Sequence, residues 1–260
     1  MEAVSFLPNY IHIAGIPVSQ TLLASLCGTA VFLWFVALYT YLKKKNIHNK
    51  LVNLVDMGVE GIMQFFHDLW GDIPYSIIKL VVFIFIYIFW SNIFGLLGDL
   101  FVLVVPSLHS YFRPVSTDVF FNMILAVVCV VGSIVYGFKL HGKHYIEKYV
   151  GYKWLGIVDK VTGVWSFLGK IFDIIIGLFL GIIEFVGELA KILSLSLRLF
   201  GNILAGMVLL GLIMAVTQSL FHVPAILPLV VIVFELFVGF LQAFVFAMLV
   251  LVYFKIAREH

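Results

Sequence analysis

The stretch IFDIIIGLFLGIIEFVGELAKILSLSLRLFGNILAGMVLLGLIMAV, Ile171 to Val216, decides the fold class. Its ~46 mainly apolar residues, at a rise of about 1.5 Å each, would make a helix of roughly 69 Å, against a hydrocarbon core about 30 Å thick. Such a run is far longer than a soluble core can cover, so the bilayer is its solvent. Either it breaks into two spans or it crosses once, steeply tilted. Outward from it, further apolar runs fall at about 21–42, 77–98, 118–139 and 225–254. The whole chain is 63% hydrophobic and 12% charged, far from soluble usage. Hydrocarbon cannot satisfy backbone N–H and C=O groups, and the alternation of a barrel strand is absent, so the spans must be helices. The stretch 51–72 is different. It sets Asp56, Glu60, His67 and Asp68 among Leu51, Val55, Val59, Ile62, Phe65 and Phe66, the pattern of an amphipathic helix lying in the interface. The expected architecture is an all-α polytopic membrane protein: about five crossings plus one interfacial helix in a single membrane domain, 1–260.

The Lys/Arg bias of the loops gives the orientation. Lys43, Lys44, Lys45 and Lys50 follow the first run, Lys139, Lys143, Lys148, Lys153, Lys160 and Lys170 lie between the third and fourth, and Lys255 and Arg258 follow the fifth. Five crossings place these groups on one side, so the N-terminus is expected outside and the C-terminus in the cytoplasm. This also requires the Ile171–Val216 run to cross once. Pro114, Ser116, Thr117 and Asp118 read as the cap of the third span. The first run, preceded by Glu2 and followed by lysines, is expected to be a retained helix rather than a signal peptide. A net charge of +2 is too mild to draw a nucleic acid, and Cys27 and Cys129 inside apolar runs read as small buried hydrophobes.

Charged residues inside a span are expensive, about 2.5–3.5 kcal/mol for a central Arg on insertion scales, and for that reason they mark function by default. Glu184, Glu188, Lys191, Arg198, Asn202 and Gly206 lie within about 40° of one line down a helix at ~100° per residue. Glu235 and Gln242, with Gly239 between them, form a second stripe in the last run. Glu188 and Lys191, three apart, can neutralise each other and serve only as support. Glu184 and Glu235 can be protonated, hydrogen-bonded helix glue or the lining of a watery path; their places on polar stripes favour the path. Arg198 has no acid three or four residues away on either side and cannot lose its proton, so it needs a partner elsewhere. His109, His141, His144 and His222 read as solvated or interfacial, with no complete metal-ligand pattern. Gly177 and Gly181 read as ordinary close packing.

The segment Ser194-Leu-Ser-Leu-Arg198-Leu-Phe-Gly-Asn202-Ile-Leu-Ala-Gly206 resembles the signature of the ATP synthase subunit a family, the membrane stator of rotary F-type enzymes. The resemblance extends to Leu241 through Phe246, to Asn92, and to Arg113-Pro114, Asp118 and Asn122. It implies that Arg198 meets the carboxylates of a rotating ring of c subunits, with Ser194 and Asn202 as its motif neighbours. Glu184 takes the family's acidic position upstream, Gln242 the polar position opposite the arginine, and Glu235 a position filled by Glu or His. Many members carry a second His or Glu where this chain has Met207; His222, Asp118, Asn122 or water are candidates to replace it. The resemblance further implies two half-channels, an outer one past Glu235 and an inner one past Glu184, with the last two helices tilted against the ring. Expected partners are the c-subunit ring, the peripheral-stalk b subunits, a soluble ATPase head and the lipid bilayer, with no cofactor and no nucleic acid. The expected setting is a bacterial inner membrane, or else a mitochondrial one. A proton-coupled secondary transporter is the alternative; it would show inverted repeats, which the sequence lacks. A scaffold protein would not explain the arginine. No phosphate-binding loop is visible, so ATP chemistry must belong to partner chains.

Overall fold

The computed structural model describes residues 10–13, 16–45, 50–71, 73–104, 119–142, 145, 164–221 and 226–259. Among them stand six helices: α1 (Gln20–Lys44), α2 (Lys50–Leu69), α3 (Tyr75–Val104), α4 (Val119–His141), α5 (Val164–Phe221) and α6 (Ile226–Glu259). Five carry stretches long and apolar enough to cross a membrane: Ser25–Lys44, Tyr75–Gly98, Asn122–His141, Ile175–Thr217 and Pro228–Glu259. These correspond to the five expected runs, and the fold is an all-α polytopic one. One element was not expected. Strands β1 (Tyr10–Ile13) and β2 (Ile16–Ser19) pair antiparallel, with Tyr10 opposite Ser19 and Ile13 opposite Ile16. Four-residue strands are too short to show a period of two, and Pro17 argues against a strand when the sequence is read alone.

Helix ends follow their local chemistry. Lys43 and Lys44 close α1, and Lys139 and His141 close α4, each set of basic residues lying at a negative dipole end. Gly142, at φ 58°, ends α4 in the left-handed conformation, and its N–H donates to the Phe138 carbonyl at 2.8 Å. Pro228 sits in the first turn of α6, where its missing N–H is no loss. The Ile171–Val216 run does not break. It forms the core of α5, a continuous helix of 58 residues.

The chain divides into two compact units. The first is Met1–Asn122 with Leu197–Met248, and the second is Met123–Ser196 with Leu249–His260. In the first unit, α2 turns Val52 and Phe66 inward and leaves Asn53, Glu60 and Gln64 exposed, as an amphipathic helix should. Phe66 is 1% exposed. Its ring lies 6.0 Å from Phe244 of α6 and 6.5 Å from Phe85 of α3, and Phe240 meets Phe85 and Phe89 edge-on at 5.7 and 5.6 Å. A second aromatic group joins α1 to α3: Phe32 packs on Phe83, Tyr87 and Trp90, and the Trp90 indole N–H donates to the Gly28 carbonyl at 3.2 Å.

The polar face of α2 is tied back to α1. Lys43 Nζ donates to Asp56 Oδ1 at 2.6 Å, and the Tyr39 hydroxyl donates to the same oxygen. The Lys43 ammonium, through that hydrogen bond, holds the Asp56 carboxyl below the usual carboxylate range. A lowered acid contributes while the pH stays above its unfolded value, and its contribution fades as the pH falls through the lowered one. In the second unit, Tyr136 of α4 packs on Phe254 of α6 at 5.6 Å, and a His141 ring nitrogen meets the Arg258 carbonyl at 3.0 Å.

Phe66 carries the attachment of the interfacial helix. Phe66→Ala should cost the detergent-solubilised protein about 3 kcal/mol, read as a lower thermal midpoint, whereas exposed Phe65→Ala should shift it far less.

Candidate functional site

The polar residues singled out in the sequence fall into different environments. In the first unit, Arg198 is exposed on α5, flanked by exposed Leu197 and buried Leu199. Leu197, Gly201, Ala205, Val208 and Leu212 are all exposed and recur at helical spacing, forming a strip with Arg198 along its edge. Small residues at its middle let another backbone approach closely. Among the described residues no carboxylate lies within ion-pair distance of Arg198. Arg198 also falls near the middle of the Ile175–Thr217 stretch. Asn202, one turn on, is partly buried.

On α6, Glu235 and Gln242 are each partly buried, and two of their atoms, Glu235 Oε1 and Gln242 Nε2, are fully enclosed without a hydrogen-bond partner among the described residues. Enclosed polar atoms almost always have partners, so these two call for a water or a group beyond the described residues. The Glu235 carboxyl lies against Gly206 of α5: a Cβ built on that glycine would come within 2.8 Å of Oε1. Midway between Glu235 and Gln242, the Gly239 carbonyl accepts a hydrogen bond from Asn92 Nδ2 of α3 at 3.0 Å.

In the second unit the chemistry is compensated. Glu188 is buried, and its Oε1 accepts a 2.9 Å hydrogen bond from Lys191 Nζ, which stands 5.2 Å from the centroid of the Tyr253 ring on α6. A cation held by a carboxylate and an aromatic face is a pinned one. Glu184 is partly buried and Ser194 exposed. The cap expected at Pro114 to Asp118, together with Arg113, His109, His144, His222 and the loop lysines Lys143, Lys148, Lys153 and Lys160, lies outside the described residues. So does the side chain of Met207. Among the described residues no group of three or more His, Cys, Asp or Glu is placed to hold a metal ion.

The family described as ATP synthase A chain matches residues 22–255. The chain belongs to that family. The ATP synthase subunit a of Desulfotalea psychrophila is 30% identical over 254 residues, covering 94% of this chain and 90% of the relative. That of Syntrophobacter fumaroxidans is 28% identical over 208 residues, covering 80% and 72%, and that of Azorhizobium caulinodans 27% over 254, covering 94% and 90%. The likeness to ATP synthase A chains thus takes in every helix from α1 to α6.

Sequence reasoning singled out Asn92, Gly206 and Gly239 but assigned no contact to any of them. Tyr253 it did not single out, since nothing in an apolar helix end announces a cation 62 positions away. Lys191 supplies the prediction here. Lys191→Met takes the ammonium from Glu188 and should destabilise the solubilised protein, Lys191→Arg should retain most of its stability, and Lys191→Met/Glu188→Gln should recover it. The double-mutant cycle, read by thermal midpoint, should give a coupling of about 1 kcal/mol or more.

Proposed function

We propose that this chain is the proton-conducting stator of a rotary F-type ATP synthase, with Arg198 facing the carboxylates of a c-subunit ring. One observation carries the reading: a permanently charged side chain on an exposed edge of an apolar helix, with no acid at hand among the described residues, inside a match to the ATP synthase A chain family. A partner must supply the negative charge, and the exposed strip beside Arg198 leaves room for a helix that carries one.

On this reading a ring acid that reaches Arg198 is driven to its ionised form, since an opposite charge within ~4–6 Å favours it. The proton leaves past Glu184 toward the cytoplasm, assisted by Ser194, with Glu188 and Lys191 holding the inner path in shape. A proton from outside passes Glu235 and Gln242 to reload the next acid, and Asn202 lines the approach. The fixed charge between the two paths repels a proton hopping directly from one to the other, so passage requires the ring to turn. At 58 and 34 residues, α5 and α6 are about 87 and 51 Å long, which calls for tilt in a ~30 Å core. The loop lysines support an N-terminus outside and a C-terminus in the cytoplasm of a bacterial inner membrane. Peripheral-stalk b subunits and a soluble ATPase head would complete the assembly.

Arg198→Ala should reduce proton-driven ATP synthesis in membrane vesicles to background while the complex still assembles; near-normal coupled synthesis would refute the role. Arg198→Lys should fail as well, because a compact ammonium lacks the planar fork and can lose its proton when desolvated.

Glu235→Gln should slow proton delivery from outside by about tenfold or more. Vesicles with an imposed outside pH jump read this directly, and an unchanged rate at every outside pH would count against it.

A further inference from the structure

Glu235 and Gly239 lie four residues apart on α6, on one flank of the helix. Each is met by a neighbour at a place where a glycine clears the space. At Gly239, a Cβ would stand 3.2 Å from Asn92 Cβ and 3.4 Å from its Nδ2, so a side chain there would press Asn92 back by a few tenths of an ångström from the carbonyl it reaches at 3.0 Å. Inside a helix that carbonyl also receives the N–H four residues on, and its second lone pair serves Asn92. At Gly206, a Cβ would fall 2.8 Å from Glu235 Oε1 and 3.0 Å from Cδ, so the carboxyl occupies the volume of a missing side chain.

We infer that the Asn92 hydrogen bond to the Gly239 carbonyl is a positioning device that seats the Glu235 carboxyl in the notch at Gly206. The inference rests on the reading of Glu235 as a proton carrier. Asn92 is buried near the C-terminal part of the Tyr75–Gly98 stretch, where an amide without a partner would be costly. Bonding to a main-chain oxygen, rather than to a side chain, it fixes the depth and rotation of α6 whatever the neighbouring side chains do. A slip of one residue would move the helix by about 1.5 Å and turn it by about 100°, taking the carboxyl out of its notch. With the notch sized to the carboxyl, Glu235 is held by shape, and the position of Met207 need not supply a polar partner.

The test uses membrane vesicles carrying the whole complex, with assembled complex quantified and passive proton flux measured after removal of the soluble head. Asn92→Leu and Gly206→Ala should assemble and lower flux about 10- to 100-fold; Asn92→Ser takes the place of Asn92→Leu if that variant does not assemble. Gly206→Ala/Glu235→Asp should regain most of the flux, because aspartate is one methylene shorter and clears the new methyl group. Asn92→Ser/Gly206→Ala should lose no more than the worse single variant, since both act through one carboxyl position, whereas unrelated structural damage would multiply. Wild-type flux in Gly206→Ala or in both Asn92 variants, absence of rescue by aspartate, or multiplying losses would each overturn the inference. Wild-type flux in Glu235→Gln would instead remove the proton-carrier reading beneath it.

Discussion

A guanidinium cannot shed its proton to escape hydrocarbon, so a helix that carries one mid-span must find it a counter-charge, a water or a route to the interface. Arg198 takes no carboxylate from the described part of its own chain. The rest of the molecule answers to that constraint. The helix beneath it is long and unbroken, the residues beside it on the exposed strip are Gly201 and Ala205, and the surface it edges is left uncovered. Each of these features keeps the charge presentable to something outside the chain. In a monomeric soluble protein so much exposed apolar helix would be a liability; on the proposed reading lipid and a neighbouring helix cover it.

The other intramembrane polar groups sort by how their cost is met. Glu188 and Lys191 meet it internally, with a short charge-assisted hydrogen bond and the Tyr253 ring over the ammonium. Neutralised so, they tie α5 to α6 within the second unit without drawing on water or partners. Asn92 meets its cost on the main chain. Glu235 and Gln242 keep enclosed atoms with no hydrogen-bond partner among the described residues, and of the two only Glu235 has a proton to give or take.

Much of this was legible in the sequence because a bilayer makes apolar length an unambiguous signal. Ile171 to Val216 could only be helical, and Asp56 and Glu60 set among Val55, Val59, Phe65 and Phe66 foretold an amphipathic α2, although Val55 and Phe65 stand exposed and Val52, not singled out, is buried. Spacing also paired Glu188 with Lys191, since helical neighbours three apart are fixed by local geometry. What stayed hidden depends on two elements at once. Tyr253 under Lys191, Asp56 against Lys43 and Tyr39, and the Gly206 notch for Glu235 each join residues whose separation carries no period. The polar stripe on α5 was legible as a line but not as a gradient. Glu188 at one point is buried and Arg198 at another is exposed, because the helix changes neighbours along its length while the sequence angle stays the same.

The spacing of the polar groups on α6 restricts how protons can travel. Glu235 and Gln242 stand seven residues apart, about 10.5 Å along the axis, while an oxygen-to-oxygen hydrogen bond spans only about 2.5–3.0 Å. Among the described residues no hydrogen bond joins the two side chains. Gln242, moreover, has no titratable proton to relay and can only orient what comes to it. On the proposed reading the fixed residues of this chain supply stations, and water on the way in and a moving carboxyl at Arg198 close the distance between them. On that reading a seat for Glu235 at Gly206 matters because the mobile partners are the variable part. If station and carrier both wandered, the chance of finding them in hydrogen-bond reach at the same moment would fall with the freedom of each.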